Sequence, residues 1–186
     1  MVRKRICVPM MTLCLLLCSC GTEEMNREDV QSCYQHMERC TMEAVVRCEQ
    51  DGMEWEAELH CEYIPEGAST VEVLSPETIA GITGTIAGQE GKLTFGDTAL
   101  AFELLAEGRL SPVSAPWVLI HTLHQGYLTA CSETDSGLVL SINDRYEENA
   151  LNLSVYLGDD DLPTGAEIFW EGSRILSLTV ANFSFL

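Results

Sequence analysis

Cys40-Thr41-Met42-Glu43-Ala44-Val45-Val46-Arg47-Cys48-Glu49-Gln50-Asp51-Gly52-Met53-Glu54-Trp55-Glu56-Ala57-Glu58-Leu59-His60-Cys61-Glu62 decides the fold. Asp-Gly is the signature of a two-residue hairpin turn, because both central positions take positive φ. A turn centred on Asp51-Gly52 pairs Cys48 with Trp55, Val46 with Ala57, Ala44 with Leu59 and Met42 with Cys61. From Glu54 to Glu62 charged and apolar residues alternate strictly, with His60 in the charged row. Successive side chains of a strand point to opposite faces. The stretch is therefore a long antiparallel hairpin with one dry face and one wet face.

Upstream, Val30, Cys33, Tyr34, Met37 and Cys40 recur at helical spacing, which predicts one amphipathic helix opening at Asn26. Downstream, short apolar runs punctuated by Gly81, Gly84, Gly88, Gly91 and Gly96 predict strands near 69–74, 82–87, 91–95 and 98–104. A second helix opens at Ser114 or Ala115, with Pro116 in its first turn, and runs to about Gly126. Further strands are predicted over 127–133, 137–143, 150–157, 165–171 and 174–185, with Glu171-Gly172 as a hairpin turn and Asp159-Asp160-Asp161 in a loop. The fold class is α+β, mainly β: a single curved, incompletely closed antiparallel sheet, a half-barrel with helices over its concave apolar face. Either a hollow for an apolar ligand lies between sheet and helices, or side chains fill it. Trp55, Leu59, Val71, Val73, Phe95, Phe102, Trp117 and Ile120 are the candidate cavity lining.

The N-terminus carries its own message. Arg3, Lys4 and Arg5 precede an apolar run, Ile6–Leu17, shorter than the roughly 20 residues needed to span a bilayer. This reads as a secretory signal. It ends in Leu17-Cys18-Ser19-Cys20, which resembles the lipobox of bacterial lipoproteins. The resemblance implies cleavage before Cys20, diacylglycerol on its thiol, and anchorage on the extracytoplasmic face of a membrane. The expected organisation is a signal peptide over 1–19, a lipidated tether over 20–25 and one domain over 26–186.

The signal holds three of the ten basic residues and none of the 29 acidic ones, so the mature part has seven basic and 29 acidic residues, a net charge of −22. Such a surface repels phosphate backbones, which excludes nucleic acid as a partner. It also repels anionic headgroups, so membrane contact rests on the lipid. Five cysteines follow Cys20: Cys33, Cys40, Cys48, Cys61 and Cys131. Export favours disulfides, and the register puts Cys40 diagonal to Cys61; reduced, buried thiols are the alternative. No CxxC pair suggests zinc, and the three aspartates lack the spacing of a calcium loop. His121 and His124 lie three residues apart on the second helix without an acidic partner, as ordinary packing would place them. No GxSxG, HExxH or phosphate-cradling loop occurs. The expectation is a protein with no catalytic residue, metal or cofactor.

The order of elements supplies a resemblance. An N-terminal helix and long hairpin are followed by Ser75-Pro76-Glu77-Thr78-Ile79-Ala80-Gly81, a Pro116-Trp117 helix, Leu162-Pro163-Thr164-Gly165-Ala166-Glu167-Ile168, Trp170-Glu171-Gly172 and Asn182-Phe183-Ser184-Phe185. This resembles the lipoprotein-carrier (LolA-like) superfamily, and within it the lipidated Gram-positive branch that includes spore-germination lipoproteins. The resemblance implies a half-open barrel whose helices plug an apolar cavity. It implies a lipid or acyl chain as ligand and no chemistry. The alternative it carries is a scaffold that docks an envelope protein, such as a cell-wall or germination partner.

Overall fold

The computed structural model describes residues 27–50, 53–87, 92–95, 106–108, 110–135 and 137–186. Helix α1 (Arg27–Gln35) leads into β1 (Cys40–Gln50) and β2 (Met53–Tyr63), followed by β3 (Ala68–Ser75), β4 (Thr83–Ala87) and β5 (Lys92–Phe95). A 3-10 turn (Pro112–Ser114) opens α2 (Ala115–Gln125); β6 (Tyr127–Thr134), β7 (Gly137–Asn143), β8 (Asn152–Leu157), β9 (Pro163–Trp170) and β10 (Ser173–Phe185) complete the chain. Among the described residues the strands form one ten-stranded sheet in the order β5-β4-β3-β2-β1-β10-β9-β8-β7-β6. Every neighbouring pair is antiparallel. The order runs from β5 to β6 without joining them, so the sheet is not closed.

The hairpin register is the one read from the sequence. Cys48 faces Trp55, Val46 faces Ala57, Ala44 faces Leu59 and Met42 faces Cys61, with Gln50 opposite Met53. Asp51-Gly52 itself lies outside the described residues. The dry row is buried: Cys40, Met42, Ala44, Val46 and Cys48 on β1, and Ala57, Leu59, Cys61 and Tyr63 on β2. The wet row makes cross-strand pairs, Arg47 with Glu56 and His60 with Glu43, and Arg39 reaches Glu62 from just before β1. Such exposed pairs contribute about 0–1 kcal/mol each, so the buried row is what fixes the register.

Glu171-Gly172 joins β9 to β10, both residues at positive φ (48° and 79°), as a two-residue hairpin requires. Asp159-Asp160-Asp161 lies between β8 and β9. The predicted strand over 98–104, the helix-opening Asn26, Cys20 and Phe102 lie outside the described residues.

One expectation fails. The first helix does not continue to Cys40: α1 ends at Gln35, the chain turns at Met37, and Cys40 begins β1. Helical spacing persists through Met37 and Cys40 because both remain buried apolar positions, but strand pairing to Tyr63 and Phe185 claims Cys40. Cys33 is exposed rather than part of the apolar face.

Helix α2 shows the curvature. It packs against β3, β2, β1 and β10, and against β8 and β7 on the far side. Laid flat, six strand spacings of about 4.8 Å would span roughly 29 Å. A helix of this length is about 16 Å long and 10–12 Å across, so the sheet must curl around it. α2 is apolar almost all round, with Ala115–Ile120, Thr122 and Leu123 buried. A helix of that kind belongs inside a core. α1 packs on α2 from outside. Its Tyr34 is buried, donates its hydroxyl proton to the Asp161 carbonyl, and meets Phe183 and Phe185 edge-on or tilted.

Candidate functional site

The concave face is the candidate site. Pairing places most of the predicted lining on it. Leu59 stands opposite Val73, Cys61 opposite Val71, Gly84 opposite Phe95, and Trp55 opposite Cys48. Leu59, Val71, Val73 and Ile120 are 0% exposed and Trp117 is 8% exposed. A side chain at 0% has no water-sized gap against it, so the space under α2 is occupied by α2 itself. Trp55 is half-buried and packs on the rim of this core, with Trp170, Leu128, Cys131 and Leu138. Phe95 is placed by its backbone in β5, the edge strand.

A polar cluster interrupts the apolar interior at the C-terminal end of α2. The Tyr63 hydroxyl lies 3.0 Å from His121 Nδ1 and 3.4 Å from His124 Nδ1. Trp117 stacks on the His121 ring, with centroids 4.4 Å apart and planes inclined 12°. Spacing of three residues puts both imidazoles on one side of the helix. Tyr63 ends the buried row of β2 and so points at them. Gln31 of α1 donates to the Gly126 carbonyl at 3.1 Å, which ties α1 to the end of α2. Burial, then repulsion from His124, pushes His121 down to about 4, with Asp144 pulling the other way. Burial also lowers His124, against an opposing hydrogen bond with the Gln35 backbone. Both rings are therefore neutral at pH 7, and burial raises the Tyr63 phenol.

The sequence reading found the histidine pair but missed its partner. The signal was present: Tyr63 has the same parity as Ala57, Leu59 and Cys61 and so belongs to the dry face.

Cys40 and Cys61 are buried thiols, diagonal to one another as the register implied. Burial pushes Cys40 up to about 12 and raises Cys61 too. Both are poor nucleophiles in this state. Among the described residues no three His, Cys, Asp or Glu side chains converge to hold a metal ion.

The convex face bears a cleft of about 410 Å³ lined by Asn143, Glu147, Glu148, Ala150, Asn152, Ser154, Phe169, Glu171 and Gly172. Its residues come from the loop after β7, the β8 start and the β9–β10 turn, too far apart in sequence to be read together. Among the described residues no helix is long and apolar enough to cross a membrane.

No family model and no curated protein matches the sequence. Solved structures resemble the chain in shape. An uncharacterized conserved protein from Thermus thermophilus is 14% identical, over 85% of this chain and 84% of that one, with a TM-score of 0.45. A LolA superfamily protein from Nitrosomonas europaea is 8% identical, over 86% and 93%, with a TM-score of 0.44. MucB, solved in the Pseudomonas aeruginosa MucA/MucB complex, is 13% identical, over 83% and 54%, with a TM-score of 0.38. Likeness at this level transfers neither family nor function, so the fold stands on the strand order and register above.

Proposed function

We propose that this chain is a non-enzymatic lipoprotein, anchored through Cys20 on the extracytoplasmic face of a membrane, that binds a lipid or another apolar ligand on the concave face of its sheet. One observation carries the reading: an open sheet curls around a helix that is apolar on nearly every side. A half-barrel that encloses an apolar rod offers the same surface to an acyl chain. In the state described, α2 fills that surface, so ligand entry requires α2 to shift. Burying a chain there is favourable by roughly 0.8 kcal/mol per methylene, set against the cost of uncovering the apolar side chains of α2.

The test is native mass spectrometry of residues 22–186 expressed in bacteria, before and after organic extraction. A bound lipid mass that extraction removes supports the reading. A single protein mass, unchanged by added lipid, overturns it.

A second reading is favoured by the complete burial of Leu59, Val71, Val73 and Ile120: a scaffold with a permanently filled core, docking an envelope protein such as a cell-wall or germination partner by its outer surface. Under that reading a captured partner is retained when the lining beneath α2 is altered.

A further inference from the structure

Among the described residues, a polar cluster of three side chains from two elements sits in a largely apolar interior that otherwise buries only small hydroxyl residues, Ser69, Ser111, Ser114 and Thr122. Tyr63 is the last residue of β2; His121 and His124 are on the last turns of α2. The tyrosine has one proton to give and two imidazole nitrogens within reach, at 3.0 and 3.4 Å. With neutral rings the hydroxyl donates to an unprotonated Nδ1; with a protonated ring the direction reverses and the hydroxyl accepts. His124 also engages the Gln35 backbone at the end of α1, so the cluster joins β2, α2 and α1 at one point.

We propose that Tyr63, His121 and His124 form an acid-sensitive latch that seats the C-terminal half of α2 against the sheet, and that protonation of the imidazoles releases it.

Protonating His121 turns its Nδ1 from acceptor to donor toward Tyr63 and creates a charge in a poorly solvated site. Protonating His124 as well sets two like charges three residues apart on one helix face. The groups facing His121 are Tyr63 from β2, His124 from α2, and Asp144 from the loop after β7. Cys40 and Cys61 lie behind Tyr63. Facing His124 are Tyr63 and the Gln35 backbone. Asp144, at His121, and the Gln35 backbone, at His124, oppose release. Asp144 is already engaged, accepting from Arg145 at 3.0 Å and from the Leu151 backbone N–H at 2.8 Å.

The direction follows from linkage. The seated form holds His121 near 4, below the about 6.5 of an exposed imidazole. Above pH 6.5 both forms are neutral and the seat is at full strength. As pH falls from 6.5 towards 4 the released form takes up a proton that the seated form refuses. For His121 alone the opening equilibrium rises on the order of fiftyfold between pH 7.5 and 4.5.

This deepens the proposed function, since α2 covers the proposed ligand surface. The test needs no ligand, so failure of the latch and absence of a lipid are read separately. NMR of the full chain in detergent micelles would follow the His121 and His124 ring signals, the Trp117 indole N–H and amide-exchange protection from pH 7.5 to 4.5. The expected result is that His121 titrates well below 6.5 and His124 is shifted in the same direction, and that α2 protection falls about fiftyfold while β1 and β10 lose less. His121→Gln should flatten that fall several-fold, and Tyr63→Phe should lower α2 protection at pH 7.5 already. If the rings titrate near 6.5, or α2 and the sheet lose protection in parallel, the latch is wrong. An undiminished fall in His121→Gln would overturn it too; should that variant not fold, the native ring titration and Tyr63→Phe decide.

Discussion

Replacing Leu59 by alanine separates a filled core from a standing hollow. Leu59 lies between Ala44 on β1 and Val73 on β3 and is 0% exposed, with α2 packed over β2. The neighbours on either side are a small residue and a β-branched one on paired strands, so they cannot easily collapse into the space. Loss of the side chain then costs both its transfer energy and a residual cavity, about 3–4 kcal/mol within the 2–5 kcal/mol range of such changes. For a domain of this size each kcal/mol lowers Tm by about 2–4 °C, so a drop of roughly 10 °C is expected. Urea unfolding of native and variant protein, with m unchanged, gives the number. A loss below about 1 kcal/mol would show that Leu59 already borders empty space. A filled core would then be wrong, and a preformed hollow right.

Other perturbations probe other parts of the molecule. Thr122 Oγ1 is buried with no hydrogen-bond partner among the described residues; Thr122→Val keeps the shape and should stabilise the protein by about 1 kcal/mol in the same urea experiment, and a clear loss would reveal a hidden partner. Gly137 has φ of +117°, and a Cβ there would sit 2.1 Å from the Leu157 carbonyl oxygen; Gly137→Ala should cost more than Gly172→Ala, where the built Cβ meets nothing within 4 Å, by about 1 kcal/mol or more. Cys33 is exposed whereas Cys40 and Cys61 are buried, their thiols raised by burial; iodoacetamide at pH 8 should modify Cys33 and leave Cys40 and Cys61 until the protein unfolds, as peptide mapping would show.

The sheet was legible because its signals are local. Strict alternation from Glu54 to Glu62 and one Asp-Gly turn fix the register of two strands, and glycine punctuation marks most of the rest. The end of α1 was not legible, because Met37 and Cys40 keep helical spacing while pairing with Tyr63 and Phe185 claims Cys40 for β1. Local pattern cannot weigh a partner more than a hundred residues away. The same limit hid the latch. His121 and His124 announce a shared face, but their partner Tyr63 lies 58 residues from His121 and is found only once the hairpin and α2 are packed together. Leu59, Val71 and Val73 share the buried face of the sheet because parity suffices, and Trp117 and Ile120 are buried on α2. Whether that face stands open or filled depends on the fit of α2, which no periodicity records.

Ligand binding on the concave face requires that α2, its present occupant, can move. Hydrogen exchange of the full chain in micelles, with and without an added long-chain phospholipid, tests this most directly. Amides of Ala115–Gln125 should lose protection on lipid addition while those of β1, β2 and β10 hold or gain. Unchanged protection in α2 at saturating lipid would contradict a movable helix and leave a core sealed for good.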